Sequence, residues 1–182
     1  MTNKEQLVIH LNRLVAVVRS VQMKRALSEV CPEPTLVYWQ VIHGDLLDVA
    51  VVEWCKIFGA DREPTHWKKV VDDHDSFRRE LLTFVGVDDA TWSEYWKTMK
   101  AYRDAEVAHK FKNPDLTHYP SLEIALQSSY FYYSYLIGKL RAQAEVLYPN
   151  DLKTYAQLFL EQAKSISRLA IDATATLEET LI

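Results

Sequence analysis

Glycine, proline and cysteine are scarce in this sequence, and each shortage excludes a class of protein. Only four glycines and six prolines occur among 182 residues, whereas antiparallel β-proteins need such residues at frequent turns. The two cysteines, Cys31 and Cys55, are isolated and match no metal-binding spacing. We therefore expect reduced thiols, no metal and no other cofactor.

Long apolar runs and a strong charge of either sign are also missing. No run reaches the roughly 18 apolar residues of a membrane span, and the polar start, Met1–Gln6, is unlike a signal peptide. These features predict a soluble, cytoplasmic protein that has no contact with a membrane. The formal net charge of -4 excludes a globally basic nucleic-acid-binding surface, so any RNA site has to be local.

Apolar residues recur every three or four positions through most of the chain, which predicts amphipathic helices. Proline, glycine and aspartate at intervening positions mark the helix ends. The predicted helices cover residues 4–30, 35–58, 77–85, 90–110, 121–148 and 152–177, and a short helix begins at Pro64. We predict an all-α bundle of five to six helices that forms one domain over residues 1–182.

At three helix ends, the sequence predicts which residue caps or terminates the helix. Gly59 is predicted to adopt the left-handed conformation after the second helix. Asp75 is the predicted N-cap of the helix that begins at Phe77, and Asp88 or Asp89 caps the next one.

The helix predicted over residues 90–110 changes character along one face. Its apolar stripe consists of Trp92, Tyr95, Trp96, Met99 and Tyr102. The same face continues through Arg103, Glu106 and Lys110, because successive residues turn by about 100°. An unpaired buried charge costs several kcal/mol. This end of the stripe therefore predicts a cleft, a polar network or a subunit interface, unless the last two turns leave the core and are solvated.

His109 lies six positions after Arg103, about 120° around an ideal helix. The two side chains therefore converge more easily at a frayed helix end, or where two copies of this helix face each other. A histidine considered by itself is more often a surface or capping group.

The segment Ala101–Lys110 resembles the signature of the HEPN superfamily, in which an arginine and a polar residue precede a histidine by four to six positions. Arg103, Asp104 and His109 match this pattern with five residues between arginine and histidine. The tyrosine before Arg103 and the Ala-His pair that ends at His109 also resemble the motif of one HEPN branch, the branch associated with abortive-infection systems. Residues 53–59 and 65–69 are similar, more weakly, to segments of that branch.

The resemblance implies a metal-independent endoribonuclease in which two protomers form one cleft. It assigns His109 as the acid or base for attack of the ribose 2′-hydroxyl on the adjacent phosphate. Arg103 would hold the phosphate, and Asp104 would orient Arg103 or His109. Histidine suits its role because the imidazole titrates near neutral pH. Arginine suits its role because the guanidinium binds phosphate in a bidentate manner. The resemblance also implies partners, namely RNA, a second copy of the chain, and an antitoxin or another protein, in phage defence or a toxin–antitoxin system.

Other residues near the motif have alternative interpretations. Lys100 and Lys110 are the predicted helpers of Arg103 in RNA binding, although a solvated helix face is the simpler reading of such lysines. Glu106 is also a residue of the predicted RNA site; it adds negative charge near the phosphate, or instead pairs with Arg103 or raises the pKa of His109.

The aromatic run at residues 130–135 predicts a mixture of core and dimer interface in preference to base stacking. A metal site at His66 and residues 72–75 fits no standard spacing.

Two further functions stay open at this point. The first is a non-catalytic module that binds RNA, a nucleotide or a partner protein. The second is a dimerisation domain in which Arg103, Glu106 and Lys110 form an interface network.

Overall fold

The computed structural model describes residues 3–107, 120–141 and 148–177, and these residues form an all-helical bundle. The described residues contain six α-helices and no strand. They are α1 (Asn3–Val30), α2 (Val37–Phe58), α3 (His74–Val85), α4 (Asp89–Tyr102), α5 (Glu123–Arg141) and α6 (Leu152–Thr174). Helix α1 is central, because it packs against α2, α5 and α6, while α3 packs on α5 and α4 packs on α2.

Helix α2 ends at Gly59, but not in the left-handed conformation that the sequence predicts. Gly59 has φ -77° and ψ -119°. A Cβ atom at this position would lie 2.2 Å from the carbonyl oxygen of Cys55. Glycine is therefore required here by the close approach of the backbone, and the prediction of a positive φ was wrong. Gly86, after α3, does have the left-handed conformation, with φ 77°.

The N-termini of α3 and α4 are capped by aspartates. The side chain of Asp73 accepts a hydrogen bond from the backbone N–H of Ser76, so the predicted cap at Asp75 was wrong by two residues, and Asp75 lies in the first turn. Asp88 caps α4 by accepting from the N–H of Thr91 at 2.7 Å. Residues 67–69 form a single 3₁₀ turn, three residues later than the short helix predicted at Pro64.

The core is rich in aromatic residues contributed by α2, α3, α4 and α5. Trp54 is fully buried, contacts the rings of Phe58 and Trp92, and donates its indole N–H to Ser128 Oγ at 2.9 Å. In the aromatic run of α5, Tyr130, Tyr132 and Tyr133 are buried, and Phe131 and Tyr135 are half-buried against Phe77. The run therefore belongs largely to the core.

Candidate functional site

The C-terminal end of α4 carries the predicted site, and its register follows from the apolar stripe. Trp92, Met99 and Tyr102 are buried, while Tyr95 and Trp96 are half-buried. After Tyr102 the chain leaves α-helical geometry and forms a π-helical turn over Arg103–Val107. Such wide turns are rare and often occur at functional sites. The turn begins at the residue that the sequence singles out.

Two contacts attach the end of α4 to α2. The hydroxyl of Tyr102 donates to Asp48 Oδ1 at 2.7 Å. The thiol of Cys55 is 3.7 Å from the carbonyl oxygen of Met99. Because both contacts lie within the last turn of α4, the position of Arg103 is set by the α2–α4 interface.

Arg103 takes part in an ion-pair network. Its Nε and one terminal nitrogen donate to the same oxygen of Asp104, at 2.9 and 2.7 Å. The other terminal nitrogen lies 3.4 Å from Glu63 Oε1. The side chain is only 18% exposed. Burial alone disfavours the charged guanidinium, but the hydrogen bond and charge of Asp104, together with Glu63, raise the pKa of Arg103. The arginine is therefore firmly cationic.

The sequence predicts a cleft, a polar network, a subunit interface or solvated turns at the end of the apolar stripe. Among the described residues, Arg103 lies in a polar network. Three of its five N–H donors point at carboxylate oxygens, which leaves one N–H on each terminal nitrogen. An anion that binds here has to use those two donors or displace a carboxylate. Asp104 fixes the plane of the guanidinium, because it accepts from two nitrogens on one edge.

Cys55 lies next to this network but takes no part in nucleophilic chemistry. Its side chain is fully buried, and burial raises the pKa of the thiol to about 12, even though the positive charge of Arg103 acts in the opposite direction. A thiol with such a pKa is protonated at neutral pH and is a poor nucleophile.

Lys100 is the one predicted RNA-binding lysine among the described residues. Its ammonium lies 4.9 Å from the centroid of the Trp96 ring, and the described residues offer it no carboxylate partner. The indole N–H of Trp96 donates to the carbonyl oxygens of Phe58 and Gly59. Lys100 therefore lies between the turn of Arg103 and the segment that follows α2.

The structure brings together only part of the predicted site. Arg103, Asp104 and Lys100 are adjacent, whereas His109 and Lys110 lie outside the described residues, as does the side chain of Glu106. Sequence reasoning missed Glu63, which is 40 positions before Arg103. Neither helical spacing nor the family motif signals this partner, because the contact is made by a loop.

A second polar cluster, on α1 and α2, contains a serine and a histidine within hydrogen-bond distance. The proton on the histidine ring, however, lies on the nitrogen that a general base would need free. Ser28 Oγ is 2.9 Å from His43 Nε2, and Lys24 Nζ is 3.0 Å from His43 Nδ1. Because an ammonium can only donate, Nδ1 accepts and Nε2 carries the ring proton toward the serine. Burial and the charge of Lys24 lower the pKa of His43. His43 is therefore not arranged to take a proton from Ser28.

Comparisons of the chain with protein-family models, curated proteins and solved structures found no match.

Within the described ranges, no helix has an apolar stretch long enough to cross a lipid bilayer. No group of three His, Cys, Asp or Glu side chains in the same ranges is arranged to hold a metal ion, and this includes His66 and residues 72–75.

Proposed function

We propose that the chain is a HEPN-type, metal-independent endoribonuclease that acts as a homodimer. The observation that carries the proposal is the state of Arg103: a half-buried, firmly cationic guanidinium, oriented by Asp104, at the start of a π-helical turn. This is the preorganised positive charge that a phosphate in a charged transition state requires. Five residues separate this arginine from His109, the general acid or base of the proposal.

The proposed reaction uses the substrate's own nucleophile. One histidine side chain removes the proton of the ribose 2′-hydroxyl, and the oxygen attacks the adjacent phosphorus. The bond from phosphorus to the 5′-oxygen of the next nucleotide breaks, and that oxygen takes up a proton. The products are a 2′,3′-cyclic phosphate end and a free 5′-hydroxyl, with no change in oxidation state. Arg103 stabilises the charge that builds on the phosphate oxygens.

The test is incubation of the purified protein with RNA in the presence of a chelator, followed by analysis of the new RNA ends. Arg103→Ala and His109→Ala are each expected to abolish cleavage and to leave the helical circular dichroism unchanged. Arg168→Ala and His74→Ala remove an exposed arginine on α6 and an exposed histidine at the start of α3, and they are expected to keep full activity. Cleavage that survives both site variants, or that requires a divalent metal, refutes the mechanism.

A second candidate function follows from the carboxylates around Arg103. A phosphate competes with Asp104 and Glu63 for the guanidinium, which suits reversible binding as well as catalysis. In this alternative the chain is a non-catalytic module that binds RNA or a nucleotide. RNA that is bound in an Arg103-dependent manner, but stays intact, would favour the module over the nuclease. The biological setting in phage defence or with an antitoxin is likewise a proposal and rests on the resemblance.

A further inference from the structure

A small cavity with aromatic walls lies between the segment after α2 and the first half of α4. Its volume is about 210 Å³. We call it the tryptophan cavity, after the rings that line it: Phe58, Trp67, Trp92 and Trp96. Cavities for drug-sized ligands measure roughly 300–1,000 Å³. The tryptophan cavity is therefore of the size that one planar ring system fills.

Each tryptophan of this cavity has a cation over its ring. Lys68 Nζ lies 5.8 Å from the centroid of Trp67, the guanidinium of Arg78 lies 5.2 Å from Trp92, and Lys100 lies 4.9 Å from Trp96. Aromatic rings interleaved with basic side chains are the combination by which proteins bind single-stranded nucleic acids. A cationic ligand such as an alkylammonium is disfavoured, because three cationic side chains already surround the rings and repel it.

The polar atoms at the cavity include both donors and acceptors. One terminal nitrogen of Arg78 donates to Asp89 Oδ1 at 2.9 Å, and its Nε is buried without a hydrogen-bond partner in the described ranges, so the donors left for a ligand are the remaining N–H groups of the terminal nitrogens. Lys68 and Asp61 form an exposed ion pair at 2.7 Å. A nucleobase edge carries donors and acceptors side by side, and a guanidinium plane such as that of Arg78 also stacks on bases.

His66 lines the same cavity and is uncharged at neutral pH. Its Nδ1 accepts a hydrogen bond from the backbone N–H of Lys68 at 3.4 Å, which places the ring proton on Nε2, toward Asp61. Burial lowers the pKa of His66 to about 4, although Asp61 acts in the opposite direction. His66 therefore adds no positive charge to the cavity at neutral pH, and the charged side chains that line the cavity are Asp61, Lys68 and Arg78.

The tryptophan cavity adjoins the site of Arg103. Trp96 and Lys100 lie one turn apart on α4, and the backbone N–H of Arg103 bonds to the carbonyl oxygen of Lys100. The loop that supplies Asp61 and His66 to the cavity also supplies Glu63 to Arg103. A strand with one phosphate near Arg103 and Lys100 would have a neighbouring base at the cavity.

We propose that the tryptophan cavity holds one nucleobase of a single-stranded RNA, beside the phosphate that Arg103 binds. The assignment of RNA as the ligand rests on the proposed function, whereas the cavity itself is tested without any cleavage. The base is held between aromatic walls and the guanidinium of Arg78, and its edge is read by Arg78, Lys68 and Asp61.

The first experiment is a titration of tryptophan fluorescence with each of the four ribonucleoside monophosphates, and with inorganic phosphate alone. Three of the five tryptophans line the cavity, so we expect nucleotides to change the emission saturably and phosphate to leave it unchanged. Arg78→Gln is expected to weaken nucleotide binding about fivefold, the effect of one lost hydrogen bond. Arg79→Gln, an exposed neighbour on α3, is the matched control. No saturable change, an equal effect of both variants, or the same response to phosphate alone would overturn the proposal.

A second pair of variants keeps the proposal testable if Arg78→Gln fails to fold. Lys68→Gln removes a donor at the rim, whereas Lys69→Gln changes the exposed neighbouring lysine. On homopolymeric RNAs, the cavity variants are expected to change the ratio of cleavage rates between bases, whereas Arg103→Ala abolishes the cleavage of all of them. Nucleotide binding without cleavage would refute the nuclease and retain the cavity. Cleavage with an unchanged base preference in the Arg78 and Lys68 variants would refute the cavity and retain the nuclease.

Discussion

Burial of His10 makes the free energy of unfolding depend on pH, and the sign of this dependence follows from the pKa shift of His10. His10 is 2% exposed, and its Nδ1 lies 2.8 Å from the hydroxyl of Tyr132. Burial, with smaller contributions from Arg13 and His66, lowers the pKa of His10 from 6.5 to about 4. The neutral ring forms this hydrogen bond with Tyr132, whereas the surrounding burial disfavours the charged ring.

The sign and size of the effect follow from proton linkage. Between pH 6.5 and 4 the unfolded chain binds a proton at His10 that the folded chain does not bind, so the free energy of unfolding falls as the pH falls. The shift of about 2.5 pKa units, from 6.5 to about 4, corresponds to about 3 kcal/mol when integrated over this window. The stabilisation is complete above pH 6.5 and is lost by pH 4.

The perturbation is His10→Gln, which removes the titration but keeps a group that can bond to Tyr132. The assay is urea unfolding at several pH values between 7.5 and 4.5, followed by circular dichroism. We expect the wild type to lose about 2–3 kcal/mol more than the variant over this range. The exposed His74→Gln variant is the control and is expected to behave like the wild type. Equal pH dependence in wild type and His10→Gln would refute this account of the His10–Tyr132 pair.

The remaining predictions concern the cysteines and the glycines. In the native protein, Ellman's reagent is expected to modify the partly exposed Cys31 and to reach Cys55 only after unfolding, since a pKa of about 12 leaves almost no thiolate at pH 8; equal native reaction rates would contradict this. Gly86→Ala is expected to lower the free energy of unfolding by about 1 kcal/mol, because the residue has φ 77°. Gly44→Ala, inside α2 with open space around a Cβ, is expected to raise it by about 0.5–1 kcal/mol, and thermal or urea unfolding of both variants decides whether the signs differ.

The all-helical fold could be predicted from the sequence because its helices are bounded by strong local signals. Proline after α1 and the aspartates before α3, α4 and α6 act within a few residues of the helix ends, and periodicity supplies the rest. Gly59 shows the limit of this reasoning. Glycine is required at this position by the close approach of the Cys55 carbonyl. A glycine after a helix can therefore indicate either a left-handed conformation or a close backbone contact, and the sequence does not distinguish the two.

The candidate site could be predicted only where it is local. Arg103 stands out because a charge follows an apolar stripe, and Asp104 is its neighbour in sequence. The partner Glu63 and the tryptophan cavity depend on a loop that returns to α4 after α2, and no spacing rule encodes that return. The sequence also predicts a continuous helix through residue 110, whereas α4 ends at Tyr102 and a π-helical turn follows.

A turn closed by i→i+5 hydrogen bonds holds one residue more than an ordinary helical turn. Removing one residue from Arg103–Val107 would allow ordinary helical bonding, and α4 would keep its packing on α2. The turn therefore absorbs one residue within its own length, so a one-residue deletion inside Arg103–Val107 is expected to leave the contacts of Tyr102 and Met99 with α2 in place.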